Sequence, residues 1–391
     1  MDSGLNFIGI LPASKSLYNR ALVVQSYFSD LQISGSSNAN DVLRMKECIQ
    51  NLQKGGPFDC GEAGTVLRFM ALRVSRESGR FVLTGSRRLF SRPQSDLLQI
   101  FKQLGVNCQI SEQEMVIESE GWRPQGDTLL VPCESSSQFL SAVALNGWNL
   151  DFDLFVSPMK LNLSRAYFKM TQQFLMDLGM KFKQWDQDFC ISKGQKISTH
   201  EVTIEPDMSS CFSMAAVAAV SGHATFKNFP EISLQPDYSF LDIFRVMGVP
   251  FQFVGGDLKV SKATGLKGVS VDLKDTPDLF PVLAALCSFA EGESLLYGAP
   301  HLKHKESSRI LKTMELLRQV GCQVEQRSDG LKILPPKNGF REGFEFDPED
   351  DHRLAMAAAV FIKGGVKLNL KHKEVVSKSF PEFWNFIGIE N

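Results

Sequence analysis

The chain has 391 residues, of which 43% are hydrophobic and 22% charged, and its formal net charge is −2. This length exceeds one ordinary hydrophobic core and indicates two domains. The near-neutral charge, with no Lys/Arg run longer than two residues, argues against nucleic acid as the main partner. No apolar run is long enough to cross a bilayer and no signal sequence is recognised, so no membrane partner and a cytoplasmic location are expected.

Six segments combine a polar start with a body of small and apolar residues. In chain order they read ASKSLYNRALVVQSYF, GEAGTVLRFMALRV, ESSSQFLSAVAL, DMSSCFSMAAVAAV, DTPDLFPVLAALCSFA and DDHRLAMAAAVFI. Ser, Thr and Asp at the starts are typical of helix N-caps, and bodies that are apolar on every side indicate buried helices. These helices could serve only as the hydrophobic core. Alternatively, their N-termini bind anions, because the starts carry more charge than capping needs.

A second phrase recurs between these helices: an apolar residue, a glycine and then a strand. It occurs at Gly105, Gly179, Gly248 and Gly321, about 70 residues apart. Each glycine is expected just beyond a helix end, where a positive φ favours Gly. Alternating helices and strands at this spacing predict six α/β repeats in two groups of three, with a boundary near the Pro-bearing segment Phe229–Asp237.

Candidate binding residues collect at the helix starts, in three connecting segments and in SKSFP near the C-terminus. The polar and charged ones are Lys15, Ser16, Arg20, Thr65, Arg92, Ser136, Ser137, Gln138, Ser164, Tyr167, Asp278, Lys305, Glu306, Arg309, Arg353 and Lys378, and Gly64 permits close approach of a ligand to the backbone. Each alone has a structural interpretation: Lys15 as a solvated charge, for example, or Arg309 as the i,i+3 partner of Glu306. Together they predict an enzyme that binds two small anions in a cleft between two halves.

Nine short segments of the chain resemble, in order, the motifs of one enzyme family. They are PASKSLYNRAL, GEAGTVLRF, SRPQSDLL, SSSQFLSA, LSRAYFKMT, TPDLFPVLA, HKESSRI, DDHRLAMA and SKSFPEF, between Leu11 and Phe383. The family is that of 5-enolpyruvylshikimate-3-phosphate synthases (3-phosphoshikimate 1-carboxyvinyltransferases). The resemblance implies an α/β fold of two similar domains, each of three βαβαββ repeats forming an inside-out α/β barrel, with the active-site cleft between them. The domain boundaries implied are 1–11 plus 233–391 for the first domain and 12–232 for the second.

The resemblance also implies an activity and a role for each residue. The enolpyruvyl group of phosphoenolpyruvate is transferred to the 5-hydroxyl of shikimate 3-phosphate, on the pathway to chorismate and aromatic amino acids, by a monomer without cofactor or metal. Asp278, Glu306 and Lys15 are implied as catalytic. The shikimate 3-phosphate site is implied to hold Lys15, Ser16, Arg20, Thr65, Ser136, Ser137, Gln138, Ser164, Tyr167, Asp278, His301 and Lys305. The phosphoenolpyruvate site is implied to hold Lys15, Gly64, Arg92, Gln138, Arg309, Arg353 and Lys378.

The chain departs from the family pattern at Glu62, Phe69, Ser91 and His301, which bears on substrate affinity and on glyphosate response more than on reaction type. Lys305 and Arg309 flank Glu306 and favour its charged form, so it needs burial or the arrival of substrate charge to act as an acid. Two alternatives stay open. One is transfer to UDP-N-acetylglucosamine, the reaction of a sister enzyme with the same fold, and the other is a non-catalytic homologue acting as a binding module.

Overall fold

The computed structural model describes residues 4–389 and has a mixed α/β fold. Its helices are α1 (Lys15–Gln25), α2 (Asn40–Gln50), α3 (Gly64–Val74), α4 (Arg87–Ser91), α5 (Ser95–Gln103), α6 (Gln138–Leu145), α7 (Arg165–Asp177), α8 (Met208–Ser221), α9 (Phe240–Met247), α10 (Phe280–Cys287), α11 (Arg309–Gln319), α12 (His352–Lys363) and α13 (Phe383–Phe386). None of the helices in this described part is long and apolar enough to cross a membrane.

The strands are short and numerous. They are β1 (Asn6–Gly9), β2 (Gln32–Ser34), β3 (Phe58–Asp59), β4 (Ser78–Thr84), β5 (Asn107–Ile110), β6 (Glu114–Glu120), β7 (Leu129–Pro132), β8 (Leu154–Met159), β9 (Phe182–Trp185), β10 (Asp188–Ile191), β11 (Glu201–Thr203), β12 (His223–Phe226), β13 (Phe251–Val254), β14 (Asp257–Ser261), β15 (Leu266–Lys267), β16 (Ser270–Asp272), β17 (Ala290–Glu291), β18 (Ser294–Tyr297), β19 (Gln323–Gln326), β20 (Leu331–Leu334), β21 (Phe344–Phe346) and β22 (Leu368–Leu370). Single-turn 3₁₀ segments at Pro277–Leu279 and Pro300–His304 and a longer one at Lys373–Lys378 carry residues of the predicted site.

The chain forms two compact units. The continuous unit runs from Ser14 to Ile204, and the split unit consists of the residues up to Ala13 together with those from Glu205 onward. The second boundary therefore falls at Ile204, not near residue 232 as expected. The reason is that α8 is buried in the apolar core of the split unit and β12 pairs with β1 there, at Asn6↔His223. With this correction, three of the six polar-start helices lie in each unit.

Four sheets repeat one topology, so four of the six repeats predicted from the sequence form four-stranded sheets of the same order. Their orders are β3-β4-β6-β5 and β7-β8-β10-β9 in the continuous unit, and β1-β12-β14-β13 and β16-β18-β20-β19 in the split unit. In each sheet the first pair is parallel and the other two are antiparallel. One further parallel pair lies in the continuous unit, β11 with β2, and two lie in the split unit, β21 with β22 and β15 with β17.

In three of the four-stranded sheets a helix joins the parallel strands: α3 between β3 and β4, α6 between β7 and β8, and α10 between β16 and β18. A second helix and an antiparallel hairpin follow, which gives the order βαβαββ. The parallel strands β1 and β12 are instead joined through the whole continuous unit.

The six polar-start segments form α1, α3, α6, α8, α10 and α12. The bodies of these helices are buried, and α1, α3 and α6 contact one another in the continuous unit, as do α8, α10 and α12 in the split unit. The four repeated glycines all have positive φ, between 71° and 106°, as predicted from their place after a helix. The N-cap prediction holds for only half of the six: Ser14, Asp207 and Asp351 cap their helices with side-chain oxygens, whereas α3, α6 and α10 begin without a side-chain cap.

Candidate functional site

In the continuous unit the predicted residues cluster at the starts of α1, α3 and α6. Lys15 is the first residue of α1, and its Nζ lies 2.9 Å from Oδ2 of Asp41, a buried carboxylate in the first turn of α2. The pair holds the lysine at the helix start, and the side chain of Lys15 keeps 17% of its surface exposed. A lysine fixed in this way presents a localised positive charge for an anion.

Arg20 lies one turn further along α1 and is 3% exposed. Its Nε donates to Oγ1 of Thr171 at 2.8 Å, and its Nη1 donates to the carbonyl oxygen of Ser16 at 2.7 Å. Burial lowers the pKa of Arg20 to about 9, an effect that Tyr167 opposes. Within residues 4–389 this guanidinium has no carboxylate partner, which is unusual for a buried cation.

The starts of α3 and α6 are linked by Gln138. Its Nε2 donates to Oγ1 of Thr65 at 3.1 Å, and its Oε1 accepts from Nη1 of Arg68 at 2.7 Å. The same Nη1 lies 3.5 Å from Oγ of Ser136, which also accepts from the backbone N–H of Gln138. Ser137 is buried at the N-cap position of α6. Three predicted residues and Arg68 therefore form one hydrogen-bonded group.

Arg92 lies against the backbone at the start of α3. A Cβ placed on Gly64 would be 2.9 Å from Nη1 of Arg92, closer than real Cβ atoms approach, so the glycine is what allows this contact. Arg92 itself is 8% exposed. A guanidinium beside an N-terminus without a side-chain cap combines two positive features that suit a phosphate or carboxylate.

Ser164 and Tyr167 mark the start of α7. Ser164 occupies the N-cap position with φ 54°, in the left-handed region, and its carbonyl accepts from the backbone N–H of Tyr167 at 3.1 Å. Both side chains are partly exposed. Tyr167 belongs to the same helix as Thr171, the hydroxyl partner of Arg20.

In the split unit the predicted residues gather around Arg309. This side chain is 1% exposed and each of its nitrogens meets a different carboxylate: Nε–Oδ2 of Asp351 at 2.8 Å, Nη1–Oδ1 of Asp278 at 2.7 Å and Nη2–Oε2 of Glu306 at 2.9 Å. Asp351 also accepts from Oγ of Ser307 at 3.0 Å. One buried arginine thus holds both predicted acid–base residues, while each Nη keeps a second N–H.

Three further cations surround these carboxylates. Nζ of Lys305 lies 3.7 Å from Oδ1 of Asp278, and Nη2 of Arg353 lies 3.8 Å from its Oδ2. Nζ of Lys378 lies 3.4 Å from Oε1 of Glu306. Arg353 is 2% exposed, and its Nε and Nη1 have no hydrogen-bond partner within residues 4–389. Unsatisfied buried donors on a guanidinium are what an anionic ligand would satisfy.

The charges in this group set the protonation states of two residues. Burial by itself raises the pKa of Asp278, but Lys305, Arg309 and Arg353 outweigh it and hold this pKa well below its usual range. Burial, followed by Lys305, lowers the pKa of His301 to about 3, so His301 is neutral at physiological pH. Asp278 is therefore an ionised carboxylate and His301 a neutral imidazole.

Sequence reasoning left four contributors out of the predicted set: Asp41, Arg68, Ser209 and Asp351. Asp351 and Arg68 lie in the helix-start segments, where the sequence shows them as polar residues. It does not show that Asp351 pairs with Arg309 or that Arg68 pairs with Gln138. Ser209 Oγ accepts a short hydrogen bond from Nη2 of Arg353 and donates to Oδ1 of its own N-cap residue, Asp207. A sequence signal for Ser209 was present. In both Asp207-Met-Ser209 and Asp351-His-Arg353, a polar residue follows the Asp that caps the helix by two positions.

Comparison with solved structures defines the class of fold. The chain superposes on an EPSP synthase from Acinetobacter baumannii with a TM-score of 0.76 and 21% identity, covering 99% of this chain and 96% of that one. It superposes on the enolpyruvyl transferase NikO from Streptomyces tendae with a TM-score of 0.72 and 12% identity, covering 99% and 95%. The fold is thus that of these two transferases.

Sequence comparison then gives the family. The model of the EPSP synthase (3-phosphoshikimate 1-carboxyvinyltransferase) family matches residues 11–387. A 3-phosphoshikimate 1-carboxyvinyltransferase from Methanobrevibacter smithii is 32% identical over 97% of this chain and 95% of its own length. One from Methanoculleus marisnigri is 31% identical over 84% of this chain and 78% of its own. The chain belongs to the EPSP synthase family.

Proposed function

We infer that this chain is a 3-phosphoshikimate 1-carboxyvinyltransferase of the shikimate pathway. It transfers the enolpyruvyl group of phosphoenolpyruvate to the 5-hydroxyl of shikimate 3-phosphate and releases phosphate. The observation that supports this most directly is the group around Arg309, where two carboxylates suited to proton transfer stand among cations suited to anions. Membership of the family gives the reaction type, and this group supplies the chemistry that the reaction needs.

The reaction needs one proton removed and one delivered in its first half. The bond from O5 of shikimate 3-phosphate to C2 of phosphoenolpyruvate forms while the hydroxyl proton leaves and C3 gains a proton. In the second half the C2–O bond to phosphate breaks and C3 gives up a proton. We assign these transfers to Asp278 and Glu306, with Lys15 as the third catalytic residue.

The ionisation of Asp278 suggests how substrate enables the proton transfer. In the free protein three cations hold its pKa low, which makes it a weak base. Anionic substrate groups that bind Lys305, Arg309 and Arg353 would offset this positive charge and raise the basicity of Asp278. We therefore propose that substrate charge prepares the carboxylate for the hydroxyl proton.

We propose that the remaining residues bind the two anions. Arg92, Arg353, Lys378 and Arg309, through its second N–H groups, suit the carboxylate and phosphate of phosphoenolpyruvate, together with Gly64, Gln138 and Lys15. For shikimate 3-phosphate we propose Lys15, Ser16, Arg20, Thr65, Ser136, Ser137, Gln138, Ser164, Tyr167, Asp278, His301 and Lys305. This set combines cations and neutral hydrogen-bonding groups with one carboxylate, Asp278, as a ligand with both anionic groups and hydroxyls requires.

A phosphate-release assay tests the assignment. The purified chain is expected to release inorganic phosphate from shikimate 3-phosphate plus phosphoenolpyruvate, and none when UDP-N-acetylglucosamine replaces shikimate 3-phosphate. Omitting either substrate gives the background. The opposite substrate preference would overturn the assignment in favour of the sister enzyme, and no release with either acceptor would favour a binding module.

Sequence features argue against both alternatives. The sister enzyme uses Lys-Asn where this chain has Lys15-Ser16, and it has a cysteine in the loop where this chain has Arg92 and no nearby cysteine. A binding module without catalysis would have no need of Lys15, Asp278, Glu306 and Arg353 together. All four are present, and Asp278, Glu306 and Arg353 belong to one group of ion pairs.

We further propose that the enzyme is a cytoplasmic monomer and a target of glyphosate.

A further inference from the structure

Thr171 is a fully buried hydroxyl residue that no part of the proposed reaction uses. It lies on α7, one turn beyond Tyr167. Its Oγ1 is 2.8 Å from Nε of Arg20, 2.9 Å from Oγ of Ser141 and 2.9 Å from the carbonyl oxygen of Tyr167. Three helices, α1, α6 and α7, therefore meet at this one oxygen.

The direction of one of these hydrogen bonds is fixed by chemistry. A guanidinium can only donate, so Thr171 accepts from Arg20 and its own proton goes to the carbonyl of Tyr167 or to Oγ of Ser141. Ser141 is also fully buried. No water can replace the acceptor for Nε without rearrangement of the site, because each side chain at this junction is buried or nearly so.

Two of the three nitrogens of Arg20 are hydrogen-bonded, and its guanidinium carbon lies 5.3 Å from the centroid of the Phe69 ring. Nε is taken by Thr171 and Nη1 by the carbonyl of Ser16, whereas no hydrogen bond within residues 4–389 involves Nη2. Two fixed nitrogens of a planar group fix the third. The unused edge and the missing carboxylate partner both leave Arg20 available to an external anion.

We propose that Thr171 is a positioning residue that orients Arg20 toward an anionic group of shikimate 3-phosphate. The proposal rests on the proposed function, since it takes that substrate as the anion. Thr171 does not touch the ligand: its hydroxyl fixes the guanidinium before binding, which reduces the ordering needed when the ligand arrives. Its loss should therefore appear in the binding of this substrate and much less in the chemical step.

The test compares Thr171→Val with Thr171→Ser. The valine variant keeps the volume and removes the acceptor, and we expect the KM for shikimate 3-phosphate to rise roughly 10- to 100-fold, the usual cost of losing a hydrogen bond to a charged group. The serine variant keeps the acceptor and should stay within about 3-fold of the parent protein. The kcat, and the KM for phosphoenolpyruvate at saturating shikimate 3-phosphate, should change less than about 3-fold in both.

A double-mutant cycle separates positioning from general damage. If Thr171 acts through Arg20, then Thr171→Val should add less than about 3-fold to the effect of Arg20→Gln on affinity for shikimate 3-phosphate, measured by calorimetry. Independent, multiplying effects would overturn the proposal, as would an unchanged KM in Thr171→Val or equal losses in the valine and serine variants. If the valine variant does not fold, Thr171→Ala takes its place with the same expected outcomes.

The parent protein separates this proposal from the proposed function. If it binds shikimate 3-phosphate by calorimetry but shows no turnover, the proposed function fails while the binding comparison still decides the role of Thr171. If it turns over and Thr171→Val binds as tightly as the parent, only the positioning role fails. If the parent does not bind shikimate 3-phosphate at all, both fail.

Discussion

Arg20 in the continuous unit and Arg309 in the split unit are both buried among predicted site residues, and the two are held in opposite ways. Arg20 in the continuous unit meets a hydroxyl and a carbonyl, and burial lowers its pKa to about 9. Arg309 in the split unit meets Asp351, Glu306 and Asp278. Burial lowers the pKa of Arg309 too, but these three carboxylates reverse the effect and raise it well above its usual value.

The contrast separates two uses of a buried cation. Arg309 is already compensated, so its main contribution is to hold carboxylates that would otherwise repel one another. Arg20 is uncompensated, so it stores an unfavourable desolvation energy that an anionic ligand relieves. We therefore expect substitutions around Arg309 to affect stability and proton transfer, and substitutions around Arg20 to affect substrate binding.

The largest expected effect is on the carboxylate that Arg309 holds. Asp278→Ala should lower kcat about 100- to 10,000-fold, as loss of one positioned base does, with a much smaller change in the affinity for shikimate 3-phosphate. Steady-state phosphate release and calorimetric binding provide the two readouts. Asp242→Ala is the control, because Asp242 is an exposed partner of Arg245 on α9, and it should keep full activity. Retention of kcat in Asp278→Ala would remove this residue from the mechanism.

Stability without ligand gives the most direct test of the contrast. Arg309→Met leaves three carboxylates without their shared cation and should lower the free energy of unfolding by about 3–5 kcal/mol. Arg20→Met removes an uncompensated charge and should change it by no more than about 1 kcal/mol in either direction. Chemical denaturation of both variants, without substrates, measures the difference. Equal losses would show that the two arginines are held in energetically similar ways.

The pH dependence of activity tests the cations around Asp278. Its pKa is lowered in the protein without substrate, so the carboxylate stays ionised until the pH falls below that reduced value, and a kcat/KM that needs the ionised form persists well into acid. Lys305→Met removes the strongest of the lowering charges and should move the acid limb of the kcat/KM–pH profile for shikimate 3-phosphate to higher pH. The matched control is Lys303→Met, on the exposed side of the same segment. The same limb in both variants would mean that Lys305 does not control Asp278.

The smallest effect is expected at His301. Because its pKa is about 3, this side chain is neutral from pH 5 to 8 and offers the same kind of hydrogen-bonding group as an amide. His301→Asn should change the KM for shikimate 3-phosphate less than about 3-fold and leave the pH profile between 5 and 8 unaltered. A titration near pH 6.5 that is present in the parent protein and absent from the variant would contradict the neutral state.

The sequence was most informative where a residue type is dictated by the backbone. Glycines after helices predicted the repeat, because few other residues adopt a positive φ without strain. Polar starts followed by apolar segments also predicted it, because a helix that is apolar on every side must be buried. It was less informative about the unit boundary, because α8 follows β11 without a break in composition and its place in the split unit depends on contacts with residues far along the chain. The side chains that pair with Arg20, Arg309 and Lys15 could not be predicted from the sequence either. Thr171, Asp351 and Asp41 lie 26 or more residues away from them, and only the fold brings them together.

The pairing of β1 with β12 also constrains the order in which the protein is completed during synthesis. A ribosome makes β1 before the continuous unit, but the parallel partner of β1 starts at His223, after that whole unit. Within the split unit its two segments meet where the continuous unit is inserted, since Ala13 bridges to Pro206 and the N–H of Asp207 donates to the carbonyl of Pro12. The continuous unit is thus an insertion that is synthesised whole before β1 can pair with β12.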